Sequence, residues 1–100
     1  MTRIGQNIGY IRVSTVDQNT GRQLEGVDLD ETFEEKVSAK DTKRPKLQEC
    51  LKYLRKGDTL HVHSLDRLAR NLEDLLQIVR GLNERGVAVS FHKNNLHFTG

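Results

Sequence analysis

Segments of strand character alternate with segments of helical character along this chain, and this alternation constrains the fold more than any other feature. The strand segments are rich in β-branched and aromatic residues, whereas the helical ones repeat apolar residues at spacings of three and four. Strands that alternate with helices pair in parallel, because each helix carries the chain back across the sheet. The sequence therefore predicts an α/β fold, a three-layer sandwich with a mainly parallel sheet of four to five strands. The strands are predicted at 8–13, 32–37, 59–63 and 87–91.

Residues at the ends of the helical segments indicate where the helices start and stop. A short first helix begins near Asn19 and has its body at 22–27, although two glycines weaken it. Pro45 suits the first position of the second helix. Asn71 can cap the third helix, which carries a strong apolar stripe, and Gly86 ends it.

The remaining segments predict the order of the strands and the edge of the sheet. Residues 64–70 are predicted to form a tight turn or one helical turn, and residues 93–100 a trailing loop. In the second strand Phe33 and Val37 are the predicted buried members, and the acidic residues between 28 and 35 predict a solvated edge rather than a metal site. A flavodoxin-like order of 2-1-3-4 would place the first strand at the centre.

Composition limits the classes of protein to which the chain can belong. One hundred residues predict a single domain over 1–100, and a formal charge of +2 is too small to prove a nucleic-acid partner. The single cysteine, Cys50, excludes an internal disulfide and is interpreted as a core residue. We find no apolar run of membrane-spanning length and no signal-peptide core, so the expected location is the cytoplasm.

Three loops of the predicted sheet carry polar and basic residues to one rim. Arg12 and Ser14 share a face of the first strand, because side chains alternate along a strand. The carboxyl ends of parallel strands open on the same edge, which is where such sheets bind ligands. The rim loops hold Ser14 and Gln18, then Ser38, Lys40 and Arg44, then Asp66, Arg67 and Arg70.

Clustered arginines next to a serine fit the chemistry of phosphate. A guanidinium can donate two parallel hydrogen bonds to phosphate oxygens and stays charged, and a serine hydroxyl can attack phosphorus once its proton is removed. Purely structural roles stay open at this point, since Ser14 could cap a helix and Asp66 could form a structural ion pair with Arg67. Tyr10 could donate a hydrogen bond into the site or simply pack. The residues alone therefore indicate phosphate or nucleic-acid binding.

Other motifs of site chemistry are weak or missing. The four histidines lack a carboxylate or cysteine at ligand spacing, so no metal site is predicted. There is no P-loop and no glycine-rich dinucleotide fingerprint. A small phosphatase or nuclease would need a metal constellation or a cysteine nucleophile loop, and neither is found.

Three motifs, taken together and in order, resemble those of the serine site-specific recombinases. Residues 9–15 read Gly-Tyr-Ile-Arg-Val-Ser-Thr and are followed by Asp17-Gln18, which resembles the opening signature of that family. Residues 65–70, Leu-Asp-Arg-Leu-Ala-Arg, resemble its second hallmark, and 43–47 its intermediate basic motif. The chain is most similar to the small transposon resolvases and DNA invertases. It departs from the family pattern at Ala39, because the family usually has glycine after the serine that corresponds to Ser38.

The resemblance implies an activity and roles for residues of this chain. Ser14 would attack a DNA phosphodiester, form a 5′-phosphoserine link and release a 3′-hydroxyl, and the reverse reaction would rejoin the strands without ATP, a metal ion or another cofactor. Arginines would hold the scissile phosphate and balance its charge, and polar neighbours would position these groups or the DNA. The implied catalytic residues are Ser14, Arg12, Arg67, Arg70 and Arg44, and the supporting residues are Tyr10, Gln18, Ser38, Asp66 and Lys36.

The resemblance also implies partners and further domains. The family acts on DNA as a homodimer that becomes a tetramer when two sites pair, and it works in the bacterial cytoplasm at the nucleoid. Its members continue into a long dimerisation helix and a helix-turn-helix domain, so this chain is expected to be the truncated catalytic domain and to be inactive alone. Loss of that helix is expected to expose apolar surface along 72–82. The alternative is a non-catalytic α/β module that binds DNA phosphates or partner subunits.

Overall fold

A five-stranded sheet organises the chain in its computed structural model, which describes residues 5–14, 26–37, 45–69 and 71–99. The strands are β1 Asn7–Ser14, β2 Glu31–Val37, β3 Thr59–Val62, β4 Ala88–Phe91 and β5 Leu96–Phe98. The helices in these residues are α1 Pro45–Tyr53, α2 Leu65–Leu68 and α3 Leu72–Glu84. None of these helices is long and apolar enough to cross a membrane.

The order of the strands is β2-β1-β3-β4-β5, which confirms the predicted 2-1-3-4 core. The first four strands pair in parallel, with Tyr10 of β1 opposite Val62 of β3 and Phe33 of β2. The predicted edge position of β2 is confirmed as well, and β1 is an interior strand, although β3 is the central one of the five.

A fifth strand, β5, corrects the prediction of a loop over 93–100. Residues Leu96–Phe98 pair antiparallel with β4 after a tight turn in which Asn95 adopts a φ of 53°. Phe98 meets Phe91 edge to face, with ring centroids 6.0 Å apart. Of the three residues of β5, only Phe98 is half-buried, and the other two are exposed. The segment therefore lacks the alternating apolar pattern by which a strand is recognised in a sequence.

Both long helices pack on one face of the sheet. The two helices contribute to a single core with the strands, through Leu47 and Cys50 of α1 and through Leu75, Val79 and Leu82 of α3. Right-handed crossovers explain this arrangement, because the connections β2 to β3 and β3 to β4 cross the sheet in the same direction. The core side chains of the strands are Ile8, Tyr10, Leu60, Val62, Val89 and Phe91.

The opposite face carries a small second cluster, in which Ile11 packs with Val27 and Leu29. The sequence predicts a first helix with its body at 22–27. Most of it lies outside the described residues, and its last two positions, Gly26 and Val27, are not helical.

The ends of α3 match the sequence pattern. The side chain of Asn71 accepts a hydrogen bond from the backbone N–H of Asp74 at 2.8 Å, which confirms the predicted cap. Gly86 follows the helix with a φ of +82°, a conformation that suits glycine. The apolar stripe is only partly buried: Leu72 and Leu76 are 68% and 47% exposed. The expectation of exposed apolar surface along this helix is therefore confirmed at these two residues.

Two predictions for β2 are corrected. Phe33 is half-buried rather than fully buried, since it lies on the edge strand and stacks at an angle against Tyr53. Glu35 was expected on a solvated edge, but it is 2% exposed. It shares a face of the strand with Phe33, two residues earlier, and α1 packs against β2.

Candidate active site

The carboxyl ends of β1, β2 and β3 lie at one edge of the sheet, because these strands are parallel. Ser14 is the last residue of β1 and lies opposite Val37, the last residue of β2. The backbone of Ser14 is described, whereas its side chain is not. β3 ends at Val62, and the chain passes through Ser64 into the single turn α2. Strands β1 and β3 therefore deliver the first and third predicted loops to one edge.

The turn α2 brings Arg67 to β1. Nη1 of Arg67 donates a hydrogen bond to the backbone carbonyl of Arg12 at 3.2 Å. Leu68 and Ala69, which follow, are buried in the core and anchor the turn. Arg12 and Arg67 are both half-buried. Two of the predicted site residues, from separate motifs, are thus brought together near the end of β1.

Asn94 also holds α2 in place from the turn between β4 and β5. Its Oδ1 accepts a hydrogen bond from the backbone N–H of Leu65 at 3.2 Å. This N–H belongs to the first residue of the helix and has no partner within it. Asn94 thereby links the start of α2 to the end of β4.

Tyr10 lies in the core rather than at an open rim. It is fully buried, and its hydroxyl donates a hydrogen bond to Oε2 of Glu35 at 2.5 Å. The same carboxylate accepts hydrogen bonds from the backbone N–H groups of Lys46 and Leu47 at 3.0 and 3.3 Å. Tyr10 therefore contacts the start of α1 through Glu35.

Of the remaining predicted residues, Lys36 and Asp66 belong to described elements. Lys36 is exposed on β2, next to Glu35 but on the other face of the strand. Asp66 lies in α2, and its side chain is not described. Four predicted residues lie outside the described part of the chain: Gln18, Ser38, Arg44 and Arg70.

Cys50 is a poor nucleophile in this fold. It is fully enclosed in the core beneath α1, and burial raises the pKa of its thiol to about 12. The thiolate, which is the reactive form, is therefore scarce near neutral pH.

Three histidines form a separate cluster: His61 on β3, His92 directly after β4, and His97 on β5. Nδ1 of His61 lies 2.8 Å from Nε2 of His92. The other ring nitrogen of His61, Nε2, lies 3.0 Å from Oδ1 of Asn7. Burial, followed by the charges of His92 and His97, lowers the pKa of His61 to about 4. Among the described residues no group of three or more histidine, cysteine or acidic side chains has the arrangement of a metal site.

Two residues that contact the predicted site residues or α2 were not predicted from the sequence: Glu35 and Asn94. The signal for Glu35 was present, because it lies between two residues predicted to be buried on the same face of the strand. Asn94 gave no such signal, since its partner in α2 is far away in sequence.

Comparison with known proteins shows the family to which the chain belongs. The protein family described as "Resolvase, N terminal domain" matches residues 7–99. The chain belongs to this family. Its curated relatives include the Tn21 transposon resolvase of Escherichia coli, which is 59% identical over 96 residues, or 96% of this chain and 52% of the relative. The Hin DNA-invertase of Salmonella typhimurium is 49% identical over 79% of this chain and 43% of the relative.

The fold is also found in a solved structure. The N-terminal catalytic domain of TP901-1 integrase superimposes with a TM-score of 0.68 over 91% of this chain and 79% of that one. Sequence identity is 20%, so this likeness concerns the fold. The chain spans about half the length of the curated resolvases that it matches.

Proposed function

We propose that this chain is the catalytic domain of a serine recombinase, an enzyme that cuts and rejoins DNA. Membership of the resolvase family supports the class of reaction. The observation that carries the proposal is the hydrogen bond from Arg67 to the backbone of Arg12. It joins two of the three recombinase-like motifs at the end of the strand that Ser14 completes.

The proposed reaction consists of two transesterifications. Oγ of Ser14 attacks the phosphorus of a DNA phosphodiester, so that a serine–phosphate bond forms as the bond to the 3′-oxygen breaks. In the second step a 3′-hydroxyl attacks the phosphoserine and releases Ser14. Each step exchanges one phosphoester for another, so the energy of the bond is retained.

Positive charge near Ser14 is what this reaction needs. Negative charge grows on the oxygens of phosphorus in the transition state, and fixed guanidinium groups stabilise it without reorganisation. Arg12 and Arg67 are proposed to supply that charge, with Arg70 and Arg44 completing the set. The proposed supporting residues are Tyr10, Gln18, Ser38, Asp66 and Lys36.

The proposal for partners and further domains comes from the family resemblance, together with the greater length of the relatives. Because this chain spans about half of them, we propose that the whole protein continues into a dimerisation helix and a helix-turn-helix domain. Its substrate would be DNA bearing a recombination site, bound by a homodimer that pairs into a tetramer. We propose that it acts in the bacterial cytoplasm, at the nucleoid.

A covalent trap tests the proposal in the full-length protein. The protein is incubated with labelled DNA that carries a nicked recombination site, and the products are separated under denaturing conditions. We expect a labelled protein–DNA adduct that disappears in Ser14→Ala, with DNA binding retained in a mobility-shift assay. Ser90→Ala is the matched control, because in the register of the sheet Ser90 of β4 is level with His61 and Gly9 rather than with Ser14, and it should leave the adduct unchanged.

Persistence of the adduct in Ser14→Ala would show that another group is the nucleophile. Absence of any adduct from the unaltered protein, on DNA that it binds, would favour a non-catalytic module.

A further inference from the structure

The turn between β4 and β5 follows the chain as it leaves β3 and enters α2. The two strands pair in parallel as far as Val62 and Phe91. Beyond that pair, two backbone N–H groups of the turn donate hydrogen bonds to carbonyls at the outgoing end of β3: His92 to Val62 at 3.1 Å and Lys93 to His63 at 2.7 Å. The side chain of Asn94 extends this series, since its Oδ1 accepts a hydrogen bond from the N–H of Leu65 at 3.2 Å. The turn is thus attached to the connection between β3 and α2 at three successive positions.

The helix α2 is too short to fix its own position. It has four residues, and a single turn gains few internal hydrogen bonds for the entropy that ordering it costs. Its last residue, Leu68, and the following Ala69 are buried in the core and anchor one end. The N–H of its first residue, Leu65, has no partner inside the helix. Asn94 supplies that partner and so anchors the other end.

Arg67 lies between these two anchors. Its backbone N–H donates a hydrogen bond to the carbonyl of Ser64 at 3.1 Å, and its Nη1 donates one to the carbonyl of Arg12 at 3.2 Å. The place of the guanidinium therefore depends on where α2 begins relative to β1. Asn94 itself is exposed, so its side chain can be changed without opening the core.

We propose that Asn94 is a positioning residue, which holds the start of α2 and thereby sets the guanidinium of Arg67 against β1. This inference rests on the proposed function, since it assigns Asn94 a part in that same reaction. Asn94 acts through Arg67 rather than on the DNA. Its contribution is to keep a phosphate-binding arginine in the geometry that the reaction requires, where small displacements have large effects on rate.

A double-mutant cycle in the full-length protein tests this inference. Single-turnover cleavage is measured at saturating DNA for Asn94→Ala, Arg67→Ala and the double variant, together with DNA affinity by mobility shift. We expect Asn94→Ala to slow cleavage about 3- to 10-fold, the factor that one hydrogen bond can supply, with DNA affinity unchanged. In the Arg67→Ala background it should add less than about twofold, because both changes remove one interaction with the phosphate.

A second background keeps the cycle readable if cleavage by Arg67→Ala is too slow to measure. Arg67→Lys retains a cation, but its flexible stem and point charge depend less on the position of α2 than a planar guanidinium does. Asn94→Ala should therefore slow cleavage less in the Arg67→Lys background than in the unaltered protein.

A matched asparagine separates positioning from general destabilisation. The side chain of Asn83 donates hydrogen bonds to the carbonyls of Val87 and Phe98 at 2.8 and 3.4 Å. It lies at the end of α3 that precedes β4, which is the opposite edge of the sheet. Asn83→Ala should lower the melting temperature and leave cleavage unchanged well below that temperature.

Hydrogen–deuterium exchange of the full-length protein reports on α2 without relying on activity. Asn94→Ala should speed exchange in the peptide that covers residues 63–69, because the start of the helix loses its anchor. Asn94→Asp keeps a carboxylate oxygen as the acceptor and should retain the slower exchange of the unaltered protein. Unchanged exchange in Asn94→Ala would overturn the inference.

The outcomes distinguish this inference from the proposed function. If Ser14→Ala abolishes the adduct but the effects of Asn94→Ala and Arg67→Ala are additive in free energy, the proposed function stands and the positioning role is overturned. A loss of DNA affinity in Asn94→Ala would overturn it as well, by assigning Asn94 a direct contact with DNA. If the adduct survives Ser14→Ala, the proposed function falls, and this inference falls with it.

Discussion

Nη1 of Arg67 donates a hydrogen bond to the backbone carbonyl of Arg12 across 3.2 Å. The two residues are far apart in sequence and belong to β1 and α2. The bond fixes the guanidinium of Arg67, a planar group of N–H donors that stays charged, against the backbone of β1. A rigid strand thus sets the position of a cation that is carried by a single helical turn.

Replacement of Arg67 is expected to impair chemistry more than DNA binding. Arg67→Ala removes one charged donor from the proposed transition state, which corresponds to a loss of roughly 100- to 1,000-fold in cleavage rate. Arg67→Lys keeps the charge but loses the planar, two-pronged donor group of arginine. We therefore expect its cleavage rate to remain well below that of the unaltered protein. Single-turnover cleavage by the full-length protein measures both effects.

The control for Arg67 is Arg80→Ala, which removes an exposed cation from α3. A loss of cleavage in Arg80→Ala as large as that in Arg67→Ala would point to overall charge rather than to a specific site.

Stability is expected to decline as the pH falls from about 6.5, the ordinary pKa of a histidine, toward the lowered pKa of about 4 that His61 has in the folded protein. The low folded pKa means that the unfolded chain binds the proton more readily, so His61 contributes stability above 6.5 that is lost on acidification. Burial is the main cause, and His92 and His97 add repulsion. Urea unfolding at a series of pH values measures the decline.

Acidic side chains also titrate in this range, so a variant is needed to isolate the histidine. His61→Gln cannot take up a proton there and should flatten the dependence of unfolding free energy on pH. A curve as steep as that of the unaltered protein would assign the decline to carboxylates instead.

Two leucines on α3 provide a matched test of the core. Leu75 is 8% exposed and packs on the sheet, whereas Leu72 is 68% exposed. Leu75→Ala should lower the free energy of unfolding by about 3 kcal/mol, because it removes buried apolar surface and leaves a cavity. Leu72→Ala should change it by less than about 0.5 kcal/mol. Equal losses in denaturant unfolding would mean that α3 is oriented differently on the sheet.

The helix cap at Asn71 should contribute less to the free energy of unfolding than the buried side chain of Leu75 does. Asn71→Ala removes the acceptor for the N–H of Asp74 and should cost about 1 kcal/mol of unfolding free energy, whereas Asn71→Asp should retain most of it. Thermal unfolding compares the two variants. Equal stability of Asn71→Ala and the unaltered protein would show that water replaces this hydrogen bond at no cost.

Local patterns in the sequence were sufficient for most of the architecture. The strands at the centre of the sheet were recognised because β-branched residues cluster in short runs, and α3 because its apolar residues repeat at helical spacing. Their alternation dictated parallel pairing, and this in turn placed Arg12 and Arg67 at the same edge. These features depend on neighbours in the chain, so a single sequence contains them.

The features that the sequence did not reveal depend on partners remote in the chain. β5 is too short and too exposed to show a pattern, and it exists as a strand because β4 offers it a free edge. Glu35 looked like a solvated acid, yet it is buried because Tyr10 and the start of α1 satisfy its oxygens. A buried carboxylate is tolerated only where such donors converge, and convergence is a property of the folded chain. The sequence by itself thus determined the order of the elements and the edge at which the motifs meet, whereas the tertiary structure decided which side chains hold that edge together.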